Sequence, residues 1–308
     1  MTSNPPAFAP VPPGAEGPAI PDQGYLRQEI GDGLHLVTDG VYQMMFLATG
    51  DGVVAVDAPP ALGRFILPAV AEVTSMPVTH VVYSHHHADH IGAASIYPEE
   101  AQRWAHRDTA VLLDRLHDKR RPSPTGIVDD SHVLTVGDQE LRLDYRGPNH
   151  SPGNLFVYAP RQRTLMLIDV IFPGWVPFDS LAQSTDIPGW VDAHDHILGY
   201  DFDTFVGGHV SRLGTREDVT LQQEYLRDVR AAIEEERAGL DMQQVMQRAS
   251  DPKNPWAFVE TMNDLFTTAA TNSVNAKWTG RLAGADVYTR SNVRAMASAL
   301  HIDYGTLH

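Results

Sequence analysis

The chain has no cysteine among its 308 residues. Disulfides, thiolate metal ligands, iron–sulfur clusters and a cysteine nucleophile are therefore excluded, and any metal must be held by histidine and carboxylates. Positive charge is also scarce. Lys and Arg number 23 against 39 Asp and Glu, a formal net charge of −16. So acidic a chain lacks the cationic footprint of a general nucleic-acid binder and is poorly suited to anionic lipid. No apolar run approaches the ~20 residues of a membrane span. The first basic residue is Arg27, and Pro5, Pro6, Pro10, Pro12 and Pro13 interrupt the stretch before it, so this stretch does not read as a secretory leader. The expectation is a cytoplasmic protein with no nucleic-acid or membrane partner. What is present is a globular composition, 43% hydrophobic and 20% charged, long enough for one elaborated domain or two small ones.

Residues 1–22 read as a flexible, Pro-rich N-terminal arm. From Tyr25 to Ala58 the pattern is β, with runs at Leu34–Val37, Tyr42–Ala48 and Val53–Val56. Gly50-Asp51-Gly52 reads as a hairpin turn. Residues 61–75 suit a helix, and Val78–Tyr83 is a short apolar run of the kind that forms a buried strand. A helix near 107–117 and strands near 132–136, 141–146, 155–159, 164–168 and 203–207 follow. Beyond Gly214, Leu221, Tyr225, Val229 and Ile233 recur every four residues among charges, the mark of an amphipathic helix. Further helical segments fall near 241–249, 255–272 and 286–300. The division expected is the arm, a core over 23–214 and a helical extension over 215–308 that packs on the core, with a cap over the cleft or a homodimer interface as alternatives.

The informative stretch is Ser84-His85-His86-His87-Ala88-Asp89-His90-Ile91-Gly92, directly after the predicted strand 78–83. Alternate residues at a strand end share a face, so His85 and His87 aim together, and the following turn brings Asp89 and His90 to a neighbouring point. That suits two metal ions close together, one held by His85 and His87, the other by Asp89 and His90, since clustered His and Asp at ligand spacing is the signature of an N/O metal site. His86 points the other way by the same alternation. Gly92 permits a close backbone approach.

The order His85-x-His87-x-Asp89-His90 resembles the signature of the metallo-β-lactamase superfamily. Three further elements of that family's pattern have counterparts here. Asn149-His150-Ser151-Pro152-Gly153 lies 65 residues after His85, the run Thr164–Asp169 brings Asp169 19 residues later, and Phe205-Val206-Gly207-Gly208-His209 brings His209 40 residues after that. The resemblance covers roughly residues 25–215. It implies an α+β fold, a four-layer αββα sandwich with its site at one edge. It also implies that His85, His87 and His150 hold one metal, that Asp89, His90 and His209 hold the other, and that Asp169 bridges both. Two Zn2+ ions are the default, with Mn, Fe or Co as alternatives for such a donor set.

The chemistry so implied is that of a dinuclear metal-dependent hydrolase. A metal-bridging hydroxide attacks an electrophilic carbon, and Asp89 is the catalytic residue that orients it. Asp57, after the strand 53–56, is either a group that orients a ligand imidazole or a turn residue. His194 and His196 read as a solvated face or cleft rim, and His106 as structural. The family's acyl-homoserine lactonases often place Tyr three residues after the bridging Asp, where this chain has Phe172. The apolar run Ile171–Phe178, with Trp190, is either ordinary core packing or one wall for a small-molecule substrate with an apolar part. The leading reading is an esterase, lactonase or thioesterase. A β-lactam or cyclic amide hydrolase comes next, then a sulfuric or phosphoric ester hydrolase. Outside enzymes, the alternative is a metal-binding scaffold.

Overall fold

A computed structural model describes residues 8–249, 251 and 253–307, so the first seven residues of the expected arm lie outside it. The described residues form two compact units. One comprises Glu16–Pro173 and Ser184–Val219; the other takes Gly174–Gln183, the chain from Thr220 onward and the stretch before Glu16. The helical unit is thus not a simple extension beyond 214, because it also recruits ten residues from the middle of the chain.

In chain order the first unit opens with β1 (Leu26–Gly31), β2 (Leu34–Thr38), β3 (Gln43–Thr49), β4 (Gly52–Val56), α1 (Gly63–Ala71), β5 (Val78–Val82) and α2 (Ala88–Ile91). It continues with β6 (Gln102–His106), α3 (Arg107–Leu116), β7 (Gly126–Val128), β8 (Ser131–Val136), β9 (Gln139–Asp144), β10 (Phe156–Ala159) and β11 (Thr164–Met166). After α4 (Asp179–Gln183), which belongs to the other unit, come α5 (Ile187–Leu198) and β12 (Thr204–Val206). Strands β1 to β7 form a seven-stranded sheet in sequence order, and a five-stranded sheet runs β12-β11-β10-β9-β8. The hairpin expected at Gly50-Asp51-Gly52 joins β3 to β4, with Thr49 opposite Gly52.

Side-chain alternation along the strands builds the layers. On β3, Met45 and Leu47 join Leu141, Leu143, Val157 and Met166 of the other sheet in one core. Met44 and Phe46, the intervening residues, face the opposite way and join Ile66, Ala69 and Val70 of α1 and Leu113 of α3. Helix α5, which buries Trp190, Ala193 and Ile197, brings His196 against Phe156 of β10. The result is two sheets packed face to face and flanked by helices, an α+β sandwich. Strand β4 is buried throughout, as suits a strand covered on both faces. It pairs in parallel with β5, and β11 pairs in parallel with β12, so the loops leaving each pair emerge side by side.

The second unit contains α4, α7 (Met242–Arg248), α8 (Pro255–Trp278), α9 (Ala285–Ile302) and most of α6 (Arg216–Ala238). Among its described residues, Ala9 N donates to Asp286 Oδ2 at 2.7 Å and Trp175 Nε1 to Ala15 O at 3.2 Å, so the stretch from Phe8 to Ala15 is tied into this unit. The sequence offers no sign of α4, and its backbone explains why. Ser180, Leu181 and Ala182 are left-handed, with φ of 55°, 57° and 59°, a conformation that costs L-residues roughly 1–2 kcal/mol each. Hydrogen bonds from α9 offset that cost. Leu181 N donates to Asn292 Oδ1 at 2.8 Å, Ser180 N to Ser291 Oγ at 3.1 Å, and Asn292 Nδ2 to Pro177 O at 2.9 Å. No described helix is long and apolar enough to cross a membrane.

Asn292→Ala removes both the acceptor for Leu181 N and the donor to Pro177 O in a buried setting. We expect a loss of about 1–3 kcal/mol of stability, read as a lower denaturant midpoint. An unchanged midpoint means that α4 does not depend on α9.

Candidate metal centre

The site forms where parallel strands end. β5 leads through Tyr83 and Ser84 to His85, and α2, with His87 as its N-cap, carries Asp89 and His90. The loop between β9 and β10 carries His150 and is tied to this edge by Leu155 N, which donates to Ser84 O at 2.9 Å. β11 delivers Asp169 and β12 delivers His209, and Asp169 N donates to Gly207 O at 3.1 Å between them. Local sequence permits these approaches. Gly208 has φ of +90°, and a Cβ there would fall 2.7 Å from Ile168 Cδ1 and 3.2 Å from His90 Cε1. At Gly92 a Cβ would meet Ala88 O at 2.1 Å.

The structure brings all seven expected residues together in two groups, one of His85, His87, His150 and Asp169, the other of Asp89, His90 and His209. Within each group, donor atoms lie within 4.8 Å of one another. The Asp169 carboxylate reaches both. Its Oδ2 is 3.0 Å from His90 Nε2, 3.2 Å from His150 Nε2 and 3.6 Å from His85 Nε2, while its Oδ1 is 3.1 Å from His209 Nε2. Asp89 Oδ2 lies 3.5 Å from His90 Nε2 and 3.6 Å from His209 Nε2. His150 Nε2 and His87 Nδ1 approach to 3.0 Å, as do the Nε2 atoms of His90 and His209.

The donor set fits divalent metal. His85 Nε2 is buried and has no hydrogen-bond partner, although it points into the cluster, a costly arrangement for a polar atom unless something is bound there. Burial, then the neighbouring His87, His90 and His150, hold His85 well below the ordinary imidazole range, which keeps it in the neutral, ligating form. Burial likewise lowers His150 to about 4. Burial alone would raise Asp169, but the imidazoles of His90 and His150 and the hydrogen bond from His209 outweigh it and keep its carboxyl well below the usual range. A His/Asp set of this kind suits zinc as well as Mn, Fe or Co.

A second ring of contacts fixes these groups. Ser84 Oγ lies 3.0 Å from His85 Nδ1. Asp57, left-handed at φ 67° and fully buried, accepts from Ser84 N at 2.7 Å. It therefore anchors the backbone beside His85, and no imidazole among the described residues hydrogen-bonds it. Burial raises its carboxyl to about 6. Asn149 Oδ1 accepts from His150 N at 2.7 Å and from Asn154 Nδ2 at 2.9 Å, and Asn154 Nδ2 also donates to Ile168 O at 2.9 Å. Both asparagines flank the His150 motif in sequence, which is the signal that could have assigned them this bracing.

Several expectations need correction. Trp190 is not a pocket wall. It is fully buried, and its Nε1 donates to Asp169 O at 2.9 Å. Of the apolar run proposed as that wall, Ile171 and Phe172 are buried in the first unit, whereas Gly174 to Phe178 belong to the second. His194 is not solvated. It is fully buried on α5, with Nδ1 3.1 Å from both Trp190 O and Val191 O; its turn of the helix faces the sheet because Trp190 and Ile197 do. His196 is exposed. His86 stands outside both groups, its Nδ1 3.0 Å from Ser151 Oγ. His106 caps α3, accepting from Asp108 N.

The sequence profile of the metallo-beta-lactamase superfamily matches residues 37–209, more than half of the chain. The chain is 29% identical over 211 residues to the alpha subunit of 2,4-dinitroanisole O-demethylase from Nocardioides sp. (strain JS1661). That match covers 67% of this chain and 64% of the relative, so the chain spans less than two thirds of the relative's length. Among solved structures, a metallo-beta-lactamase from Pontibacter korlensis has a TM-score of 0.56 at 17% identity, covering 65% of this chain and 97% of its own. Metallo-beta-lactamase IND-7 has a TM-score of 0.55 at 18% identity, covering 65% and 98%. At these identities the structures show the fold alone.

Burial holds His194 at about 4, below the ordinary 6.5. Between those values the unfolded chain takes up a proton that the folded chain refuses. Its contribution to stability is thus complete above pH 6.5 and is lost as pH falls toward 4. His194→Gln is expected to flatten the stability–pH slope in that window by up to about 1.4 kcal/mol per pH unit, measured by denaturant unfolding at several pH values; an unaltered slope would show that His194 is not held neutral.

Proposed function

This chain belongs to the metallo-beta-lactamase superfamily, and from its site we propose a metal-dependent hydrolase that cleaves a small-molecule carboxylic ester, lactone or thioester. The observation that carries the reading is the convergence of five imidazoles and two carboxylates on one edge of the sandwich, with Asp169 touching both groups. In this reading His85, His87 and His150 would hold one ion and Asp89, His90 and His209 another, with Asp169 placed to reach both groups; zinc is the metal proposed. Bound divalent ions would lower the pKa of water and polarise a substrate oxygen.

The protein's own part is positioning. Asp89 and Asp169 differ in access, with 46% of the Asp89 side chain exposed against 7% of Asp169. Asp169 is thus sequestered among the imidazoles, while Asp89 can meet both water and substrate. Asp89 is the group that orients the attacking water and accepts its proton. The buried bracing from Ser84, Asp57 and Asn149 holds the ligands before substrate arrives, which is where a preorganised site gains its rate. The acidic balance of the chain, net −16, supports a small-molecule substrate over nucleic acid. A homodimer and a cytoplasmic location remain part of the proposal.

A second reading rests on the relative that is a subunit of a 2,4-dinitroanisole O-demethylase. Hydrolysis of an activated aryl methyl ether consumes one water and releases a phenol and methanol. It needs the same nucleophile and an oxygen leaving group, so the two readings share a mechanism and differ in the carbon attacked.

The test is a panel of lactones, aryl esters, thioesters, a β-lactam, a sulfate ester, a phosphodiester and an activated aryl methyl ether, run with metal-loaded protein with and without chelator. Chelator-sensitive cleavage of an ester, lactone or thioester is the expected result. Cleavage of the ether alone selects the second reading, and silence across the panel with metal bound removes both. In the active case, Asp89→Ala abolishes turnover while the circular dichroism spectrum stays native.

A further inference from the structure

Tyr42 sits beside the candidate metal centre. It lies between β2 and β3, half-buried. Its neighbours hold its backbone on both sides of His209. Val210 N donates to Val41 O and Gln43 N donates to Gly208 O, each at 2.9 Å, and Tyr42 and His209 form an isolated antiparallel bridge. Asp39 Oδ1 fixes the turn before it, accepting from Val41 N at 2.9 Å and Tyr42 N at 2.8 Å. So placed, the Tyr42 ring lies 4.8 Å from the His209 ring and 6.0 Å from that of His90.

Its hydroxyl is the feature that bears on the site. The hydroxyls of Tyr83, Tyr97, Tyr158, Tyr200 and Tyr225 all find protein acceptors. No hydrogen bond joins the Tyr42 hydroxyl to any described residue, although it is close enough to the carboxylates of Asp89 and Asp169 to feel both charges. The rigid backbone therefore presents a neutral donor, unengaged by protein, at the Asp89/His90/His209 half of the site. Phe172, whose ring faces the same His209 at 6.4 Å, has no hydrogen-bonding atom to offer.

A hydrolysis that breaks a carbon–oxygen bond leaves the bonding pair on the departing oxygen. A hydrogen-bond donor already in place where that charge develops stabilises it. We propose that Tyr42 is a catalytic residue whose hydroxyl donates a hydrogen bond to the leaving oxygen of the substrate, and so selects substrates that depart as an alkoxide or phenolate. This rests on the hydrolase reading. Water supplies the new carbon–oxygen bond and the protons of both products; Tyr42 keeps its own proton, so nothing on the protein is consumed.

The test compares zinc-loaded wild type with Tyr42→Phe, which keeps the ring against His209 and removes only the hydroxyl. The first readout is equilibrium binding of 4-nitrophenolate, a leaving group already departed, followed by its absorbance. A donor to a charged oxygen is worth about 1.5–3 kcal/mol, so Tyr42→Phe should weaken binding by about tenfold or more, with zinc content per chain unchanged. The second is hydrolysis of aryl and alkyl esters of one acid, where Tyr42→Phe should slow poor leaving groups much more than 4-nitrophenolate. Equal affinity in the two proteins overturns the proposal, as does the same rate loss for every leaving group. Reduced zinc content with affinity falling only in proportion also overturns it, and assigns Tyr42 to positioning His209. A wild type that hydrolyses nothing yet shows the affinity difference removes the hydrolase reading and leaves the phenol's donor role standing.

Discussion

A single buried carboxylate, that of Asp169, lies within 3.6 Å of four imidazoles drawn from three separate parts of the chain. Its charge is what allows those rings to crowd together, since each would otherwise bring an unpaired polar nitrogen into the interior. The neutralisation is incomplete, because His85 Nε2 finds no hydrogen-bond partner. The cluster is therefore unsatisfied by protein alone, which is the physical content of calling it a metal site. Asp169 also adopts a left-handed backbone, φ 63°, a strained choice for a non-glycine residue and one associated with functional positions.

The scaffold meets these demands at few points. Trp190 holds the Asp169 carbonyl from α5, Asn154 holds that of Ile168, and Asp57 holds the amide before His85. All of these bracing groups are buried, where hydrogen bonds are electrostatically strong and the loss of a partner is costly. They come from the position after β4, the loop between β9 and β10, and α5, parts that the two-sheet core sets beside one another. The packing of Met45, Leu143 and Val157 between the sheets thus bears on the chemistry indirectly. It fixes which strand ends share the edge.

The second unit solves a different problem. Left-handed backbone at four successive non-glycine residues is not a local preference of Ser180, Leu181, Ala182 and Gln183. It persists because Asn292, fully buried on α9, supplies both a donor and an acceptor to the turn. Asn292 Nδ2 also lies 3.3 Å from the Tyr225 hydroxyl, which donates to Thr289 Oγ1. A satisfied buried network of this sort specifies one conformation more sharply than apolar contacts do.

Much of this protein is legible without coordinates. The alternation of β3, the uniformly apolar β4 and the four-residue recurrence in α6 are local patterns that follow from the geometry of strands and helices. The ligand motif is equally local at His85, His87, Asp89 and His90, and resemblance extends it to His150, Asp169 and His209. Other features had no local signal. The roles of Trp190 and His194 depend on which face of α5 meets the sheet, and α4 depends on a residue more than a hundred positions away. Tyr42 reads as an ordinary strand residue until the bridge to His209 places it at the site. The sequence by itself determined the strand and helix patterns, the ligand motif from His85 to His90 and the absence of thiolate chemistry, because these depend on residue type and short-range periodicity. Only the tertiary structure decided which polar groups are satisfied and which are left facing the cluster, because that depends on atoms brought together across the whole chain.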